Sequence, residues 1–320
     1  MIRKFTSFVM FSLFFAQCLF AQPQKQKIIL DTDLGGDIDD AFALALILCS
    51  PEFEVLGFVM DHGLTQERAR IACKMLYETG HENIPVVVGR QTPLIIGQDE
   101  HPAPYNDQFY WARGFDRIKP IDTPAQDFII DNLRKYPDEI ILFTVGPVPN
   151  IADVIRKDPE ALKLAKHIYS MFGSFYIGYG GKSEPDAEWN VRADVESAKR
   201  FASCGAKITY AGLDITAFVT LEESERYKLL MRQSPLTDAL CGLYSLWGKQ
   251  TPILFDCVAV GMALWPDLFT THPAHIQVTD TGYTEIDENK TPTCEVGVYI
   301  DKETFLRRLM QRLLQQNFSR

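Results

Sequence analysis

The sequence lacks several features that define particular classes of protein. Its 320 residues include seven cysteines but no CxxC pair, and they contain no Pro/Gly/Ser-rich linker, internal repeat or low-complexity segment. The cysteines are scattered through apolar patterns, which favours small buried side chains over a disulfide framework. Basic residues are scarce relative to acidic ones, 32 against 42, and the formal net charge is −10. Such an acidic chain is a poor match for nucleic-acid backbones or anionic lipid, so we expect no nucleic-acid partner.

An apolar run with the pattern of a signal peptide occurs only at the start of the chain. A positively charged beginning precedes an apolar run at residues 5–15, which has the length of a signal-peptide core and is too short to span a membrane. We predict a signal peptide over residues 1–21, cleaved after Ala21, and an exported mature chain over 22–320 that forms one domain. A lipoprotein site at Cys18 is the alternative, and we predict no membrane span.

Apolar strand patterns alternate with helical patterns through the rest of the chain. A first strand begins at Ile28, and further strands are predicted over residues 55–60, 84–88, 139–144, 167–172 and 208–211. Helices are predicted over 66–78, 127–136, 192–202 and 302–314. This alternation predicts a single-domain α/β fold with a mostly parallel, doubly wound (Rossmann-like) sheet and helices on both faces. Ligand sites in such sheets lie at the carboxyl ends of the strands.

Five aspartates and two glycines follow the first strand within ten residues. The aspartates are Asp31, Asp33, Asp37, Asp39 and Asp40, and an apolar helical pattern comes directly after them. Carboxylates packed this closely repel one another, and a helix dipole of about half a charge cannot balance them. A divalent cation with oxygen ligands can. The alternative, one N-cap aspartate with solvated acidic neighbours, does not account for the two aspartates at the strand end.

This segment resembles the DxDPGxDDA fingerprint of the inosine-uridine-preferring nucleoside hydrolases. The resemblance implies the nucleoside hydrolase fold and a calcium ion held by Asp33, Asp40 and a distant aspartate, with Asp39 on the ribose. Leu34 replaces the family's proline, and the loop is two residues longer. Asp37 is therefore an extra carboxylate whose role stays open.

Further motifs of this family follow in order along nearly the whole mature chain. Val145, in the segment FTVGPVPN, matches the residue whose backbone carbonyl binds calcium. Glu188 and Asn190, in AEWN, match residues that bind ribose hydroxyls, although ordinary helix-start residues are an alternative. Asp256, in LFDCVAV, matches the distant calcium ligand. Four motifs in the right order are a far more specific signal than one DxD.

Three positions depart from the family pattern. The family has an asparagine near the ribose where this chain has the segment DHGL, so His62 or Asp61 is a candidate replacement and a structural role is the alternative. Lys182 stands in place of another asparagine and could bind a charged group or be solvated. Phe255 replaces a histidine that is thought to protonate the departing base in some members.

Two aromatic groups are candidates for contact with a nucleobase. Residues 101–118 contain five aromatic side chains that could cover a base or form a hydrophobic cluster under a loop. Tyr244 and Trp247 lie three residues apart and share a face if the segment is helical, where core packing is the alternative to base stacking.

The motifs together predict calcium-dependent hydrolysis of the N-glycosidic bond of a ribonucleoside to free base and ribose, with water activated by Asp33. The predicted substrate-binding residues are Asp39, Glu188, Asn190, Asp256, His62, Lys182 and Trp247. The predicted calcium ligands are Asp33, Asp40, Val145 and Asp256. The resemblance also implies a homodimer or homotetramer. Two alternatives stay open: a non-catalytic, calcium-dependent ribose-binding protein and, more remotely, a phosphatase of the DxD type.

Overall fold

The computed structural model describes residues 24–319, so the predicted signal peptide, the cleavage after Ala21 and the alternative at Cys18 lie outside the described residues. The strands are β1 (Gln26–Thr32), β2 (Phe53–Met60), β3 (Val86–Val88), β4 (Ile140–Thr144), β5 (His167–Met171), β6 (Ile208–Ala211), β7 (Phe269–Ala274), β8 (Ile276–Val278), β9 (Thr284–Ile286) and β10 (Cys294–Ile300). The helices are α1 (Asp39–Leu48), α2 (Thr65–Glu78), α3 (Ala125–Lys135), α4 (Pro149–Lys157), α5 (Trp189–Ala193), α6 (Val195–Ala202), α7 (Leu213–Thr216), α8 (Glu223–Arg232), α9 (Pro235–Trp247), α10 (Phe255–Leu264) and α11 (Lys302–Gln315).

Eight strands form one sheet in the order β3-β2-β1-β4-β5-β6-β10-β7. Every neighbouring pair is parallel except β10 and β7, and β8 and β9 form a separate antiparallel hairpin. The predicted mostly parallel sheet is therefore confirmed. The strand order reverses between β1 and β4, and this reversal opens a crevice at the carboxyl ends of the strands, where α/β proteins bind ligands.

Apolar side chains on both faces of the sheet hold the helices in place. In β1, Ile28 and Leu30 belong to one hydrophobic core and Ile29 belongs to the other, because successive side chains of a strand point to opposite faces. One core includes α1, α2, α9, α10 and α11, and the other includes α3, α4 and α6. Helices thus cover both faces, as the continuous apolar strands predicted. Within residues 24–319, no helix is both long and apolar enough to cross a membrane.

One local prediction is wrong. The single helix predicted over 192–202 is divided into α5 and α6, because Asp194 turns its carboxylate onto the backbone N–H of Ser197 (3.1 Å) and begins a new helix. After β6, the chain enters α7, where the carboxylate of Asp214 accepts N–H bonds from Phe175, Tyr176 and Ile177.

Candidate active site

A pocket of about 350 Å³ opens at the carboxyl ends of β1 and β4, where the strand order reverses. Asp33 follows β1 directly and Val145 follows β4, and the backbone N–H of Val145 donates to the carbonyl of Asp31 (2.9 Å). This link between parallel neighbours brings the two strand ends together. The apolar run of β1 thus delivers the first predicted site residue to the pocket.

Three buried carboxylates form the most acidic part of the pocket. Asp39 and Asp40 lie in the first turn of α1, Asp256 lies in the first turn of α10, and their oxygen atoms are within 4.8 Å of one another. We call these residues the carboxylate trio. The Asp256 N–H donates to Asp39 Oδ2 (3.1 Å), which ties the two helix starts together. Burial, reinforced by repulsion from neighbouring aspartates that include Asp33, raises the pKa of all three carboxyls well above the usual range.

The donor set of the trio fits a hard divalent cation. It offers several carboxylate oxygens, the ligand type that calcium prefers, and within residues 24–319 none of the three carboxylates has a salt-bridge partner, although the charge of Arg68 acts on Asp40. Two helix N-termini also point their partial positive charge here, but about half a charge each does not balance three carboxylates. The trio contains the predicted ligands Asp40 and Asp256 and, as third member, Asp39.

Asp33 lies beside the trio and is paired with an arginine. Its Oδ2 is 3.7 Å from the guanidinium of Arg68, and both side chains line the pocket. Burial raises the pKa of Asp33, and the positive charge of Arg68 opposes that shift. The backbone carbonyl of Val145 accepts a hydrogen bond from the Asn190 amide (2.9 Å), and Val145 also lines the pocket.

Arg68 is a site residue that the sequence reasoning missed. Its guanidinium donates to the carbonyl oxygens of His62 (2.7 Å) and Leu34 (3.0 Å), so it ties together the loops that follow β1 and β2. A signal was present, because Arg68 lies three residues before Ile71 and four before Ala72, on the apolar face of α2. A charged residue on a buried helical face needs partners, and here they are a carboxylate and two carbonyls.

Glu188 and Asn190 lie in the pocket and are held rigidly. The carboxylate of Glu188 accepts N–H bonds from Asn190 (2.9 Å), Gly173 (3.0 Å) and Val191 (3.3 Å), and thereby caps α5. The Asn190 amide donates to the carbonyls of Val145 and Met171. Burial raises the pKa of Glu188 to about 7, against the effect of these N–H donors. Glu188 therefore caps α5 and lines the pocket, and Asn190 lines the pocket beside it.

His62 lies in the pocket and Asp61 does not. His62 Nε2 is 3.0 Å from the carbonyl oxygen of Leu94, and its Nδ1 has no hydrogen-bond partner among the described residues. Burial and the nearby Arg68 lower the pKa of His62 to about 4, so the ring is neutral at pH 7. With the proton on Nε2, the Nδ1 lone pair is an acceptor. The backbone φ of His62, +55°, is unusual for a residue other than glycine.

Lys182 and Trp247 are not among the residues that line the pocket. The exposed ammonium of Lys182 lies 2.6 Å from Asp186 Oδ1. Trp247 lies at the end of α9, so the segment is helical, and the centroid of its ring lies 6.1 Å from that of Tyr244. The structure therefore does not bring these two residues together with the other predicted site residues, and substrate contact by them stays a prediction.

The aromatic segment at residues 101–118 lines the pocket at one end and packs against α2 at the other, and its contact with a nucleobase stays a prediction. Tyr105 and Phe109 line the pocket, with their rings 5.2 Å apart. Trp111 instead receives the ammonium of Lys74 at 4.0 Å, and Phe115 packs on Tyr77 at 5.4 Å. The end of the segment that contains Tyr105 therefore lines the pocket, and the end that contains Phe115 packs against α2.

The fold and the pocket define an α/β protein with a buried cluster of carboxylates in a pocket at its topological switch point. The family model of the inosine-uridine preferring nucleoside hydrolases matches residues 28–307, and the chain belongs to this family of N-glycosyl hydrolases. It is 29% identical to "Probable uridine nucleosidase 2" of Arabidopsis thaliana, over 91% of this chain and 98% of the relative. It is 30% identical to "Non-specific ribonucleoside hydrolase RihC" of Escherichia coli, over 81% of this chain and 85% of the relative.

Solved structures show the same fold. The plant nucleoside hydrolase PpNRh1 superposes with a TM-score of 0.81 at 27% identity and covers 92% of this chain and 100% of its own. The purine-preferring ribonucleoside hydrolase from Gardnerella vaginalis gives 0.76 at 27% identity, with 90% and 98% covered. The predicted family, fold and enzyme class are confirmed.

Proposed function

We propose that this chain uses calcium to hydrolyse ribonucleosides to free base and ribose, with Asp33 as the general base. The observation that carries the proposal is the carboxylate trio, which is buried beside Asp33 at the switch point of the sheet. Three buried carboxylates without a salt-bridge partner among the described residues are costly unless a cation joins them. A ligand set made of oxygen atoms favours calcium over softer metals.

Calcium would be held by Asp40, Asp256 and the Val145 carbonyl, with Asp33 as the further predicted ligand and Asp39 beside it. When bound, the ion would balance the carboxylates and lower the pKa of a water molecule in the pocket. Asp39 would accept hydrogen bonds from the ribose hydroxyls, as would Glu188.

Asp33 is the residue best placed to take the proton of the attacking water. Arg68 favours the ionised form of the Asp33 carboxyl and fixes its position. The water oxygen bonds to C1′ of the ribose while the bond from C1′ to the base breaks, through a transition state with oxocarbenium character, as in glycoside hydrolysis. A positioned general base supplies roughly 10²-fold or more of the rate.

Free ribose released by the mature chain, residues 22–320, tests this proposal. A panel of purine and pyrimidine ribonucleosides is incubated with calcium and, in parallel, with a chelator. We expect release only with calcium, from the native chain and from D280N, whose Asp280 side chain is 95% exposed. Substitution D33A should abolish release. Ribose that protects against unfolding without any release would instead support the non-catalytic binding protein.

The remaining proposals concern where the chain acts and how it assembles. We propose export by cleavage after Ala21, and a homodimer or homotetramer in solution. Mass spectrometry of the secreted or periplasmic product tests the cleavage, and light scattering during size-exclusion chromatography tests the assembly. An intact N-terminus in the cytoplasm, or a monomer, would contradict them.

A further inference from the structure

The pocket contains a tyrosine that no sequence motif singled out. Tyr179 lies in the loop between β5 and α5, lines the pocket and is 40% exposed. Its ring meets that of Phe255 edge to face, at 6.2 Å between centroids. Phe255 stands where the family resemblance puts a proton-donating histidine. Tyr179 is therefore in contact with the position from which a donor to the base is missing.

The hydrogen bonds of Tyr179 leave its proton available. The backbone N–H of Trp189 donates to the phenol oxygen (2.9 Å), which occupies an acceptor position of that oxygen. Within residues 24–319, no acceptor for the hydroxyl proton lies within hydrogen-bonding distance. Burial, with the negative charge of Glu188, raises the pKa of Tyr179, so the phenol keeps its proton at neutral pH. The hydroxyl can thus donate to a ligand in the pocket.

The loop that carries Tyr179 is fixed at two points. Asp214 accepts three successive backbone N–H bonds where the loop leaves β5. The Tyr179 N–H donates to Asp186 Oδ2 (2.9 Å), and Lys182 binds the other oxygen of the same carboxylate (2.6 Å). These contacts place the tyrosine without a ligand, and such preorganisation is what an effective hydrogen-bond donor requires.

We propose that Tyr179 donates a hydrogen bond to the departing nucleobase and so takes over the task that Phe255 cannot perform. In the reaction, the electron pair of the C1′–N bond stays on the base, the water oxygen bonds to C1′ and the water proton passes to Asp33. The hydroxyl of Tyr179 stabilises the negative charge that develops on the base, which then takes a proton from solvent. This inference rests on the proposed hydrolase activity.

Substitution Y179F, compared on two substrates, tests the proposal. One substrate is the ribonucleoside that the native chain cleaves best, and the other is p-nitrophenyl riboside, whose leaving group departs as a stable anion. Removal of one preorganised donor to a developing anion typically lowers kcat by about 10²-fold, and we expect at least about 10-fold on the nucleoside. On the nitrophenyl riboside we expect less than about a twofold change, because that leaving group needs no donor.

The matched control is Y176F, which removes the hydroxyl of an exposed tyrosine in the same loop outside the pocket. It should leave both rates unchanged, and thermal melts check that both variants fold. An equal loss on both substrates would mean that Tyr179 only shapes the pocket, and no loss on either would mean that it does not assist the base; each result overturns the proposal. If the native chain cleaved neither substrate, the hydrolase proposal itself would fail, so the two failures can be told apart.

Discussion

Replacing Asp256 by asparagine tests the carboxylate trio in two ways, through the stability of the metal-free protein and through the binding of calcium. Its oxygen atoms lie within 4.8 Å of those of Asp39 and Asp40, and repulsion from both adds to burial in raising its pKa. In metal-free protein, D256N removes one of three like charges, so we expect the folded state to become more stable. With calcium present, the same change removes a ligand, so we expect weaker binding and a smaller gain in stability from the ion.

The distances set the size of the metal-free effect. Two unit charges 4.8 Å apart interact by about 3 kcal/mol at an effective dielectric constant of about 20. The three carboxyls avoid part of this repulsion because their raised pKa values keep them partly protonated. A carboxyl with a raised pKa binds more protons when folded than when unfolded, so the free energy of unfolding falls as the pH rises. We expect D256N to gain about 1 kcal/mol near pH 8, or about 2 °C in Tm, and almost nothing near pH 4.

Thermal melts with a chelator measure the stability of the metal-free protein, and melts with calcium measure the gain in stability from the ion. Calcium at about 100 times its Kd should stabilise the native chain by about 2.7 kcal/mol, or about 4 °C in Tm. The variant should lose most of this shift. If D256N destabilised the metal-free protein and kept the full calcium shift, the trio would not be a cation site and the reasoning would be refuted.

Three further substitutions separate roles within the site. D33N should lower kcat for nucleoside hydrolysis by about 10²-fold or more at saturating calcium and, because Asp33 is also a predicted calcium ligand, should reduce the calcium shift in Tm; a kcat within a few-fold of native would exclude Asp33 as the base. R68L leaves a buried carboxylate and two carbonyls without their partner, so urea unfolding should show a loss of about 3 kcal/mol; a loss below about 1 kcal/mol would contradict that structural role. K182A removes an exposed ion pair with Asp186, whose other oxygen still accepts the Tyr179 N–H, so stability should change by less than about 1 kcal/mol and KM should stay within about threefold; a large rise in KM would restore Lys182 as a substrate-binding residue.

The sheet and most of the candidate site were predictable because they depend on local patterns. Strands β1 to β6 are apolar on both faces, which is typical of parallel strands under two helical layers. The motifs of Asp33, Val145 and Glu188 follow β1, β4 and β5, so the rule for carboxyl ends predicted them at one edge of the sheet. The structure brings Asp33, Asp39, Asp40 and Asp256 into one pocket although the last is more than 200 positions from the others.

Strand β7 and the position of Tyr179 could not be predicted from the sequence, because both depend on tertiary contacts. Strand β7 is an edge strand in which half of the residues are exposed, and only its pairing with β10 gives it a place in the sheet. Tyr179 lies in an irregular loop without hydrophobic periodicity, and its position is set by Asp186 and by the N–H of Trp189. Side chains placed by distant backbone groups leave no local signature in the sequence.

The loop after β1, which the family resemblance indicates to be two residues longer than usual, is held by contacts from outside the sheet. The extra carboxylate, Asp37, accepts the N–H of Ile38 (2.7 Å) and lies 3.8 Å from the ammonium of Lys249. Gln108 donates to the carbonyls of Gly36 (3.1 Å) and Asp37 (2.9 Å). The added residues therefore bind both the aromatic segment that contributes Phe109 and the end of α9. Because these contacts hold the start of α1 from outside the sheet, the loop can be longer while Asp39 and Asp40 stay beside Asp256.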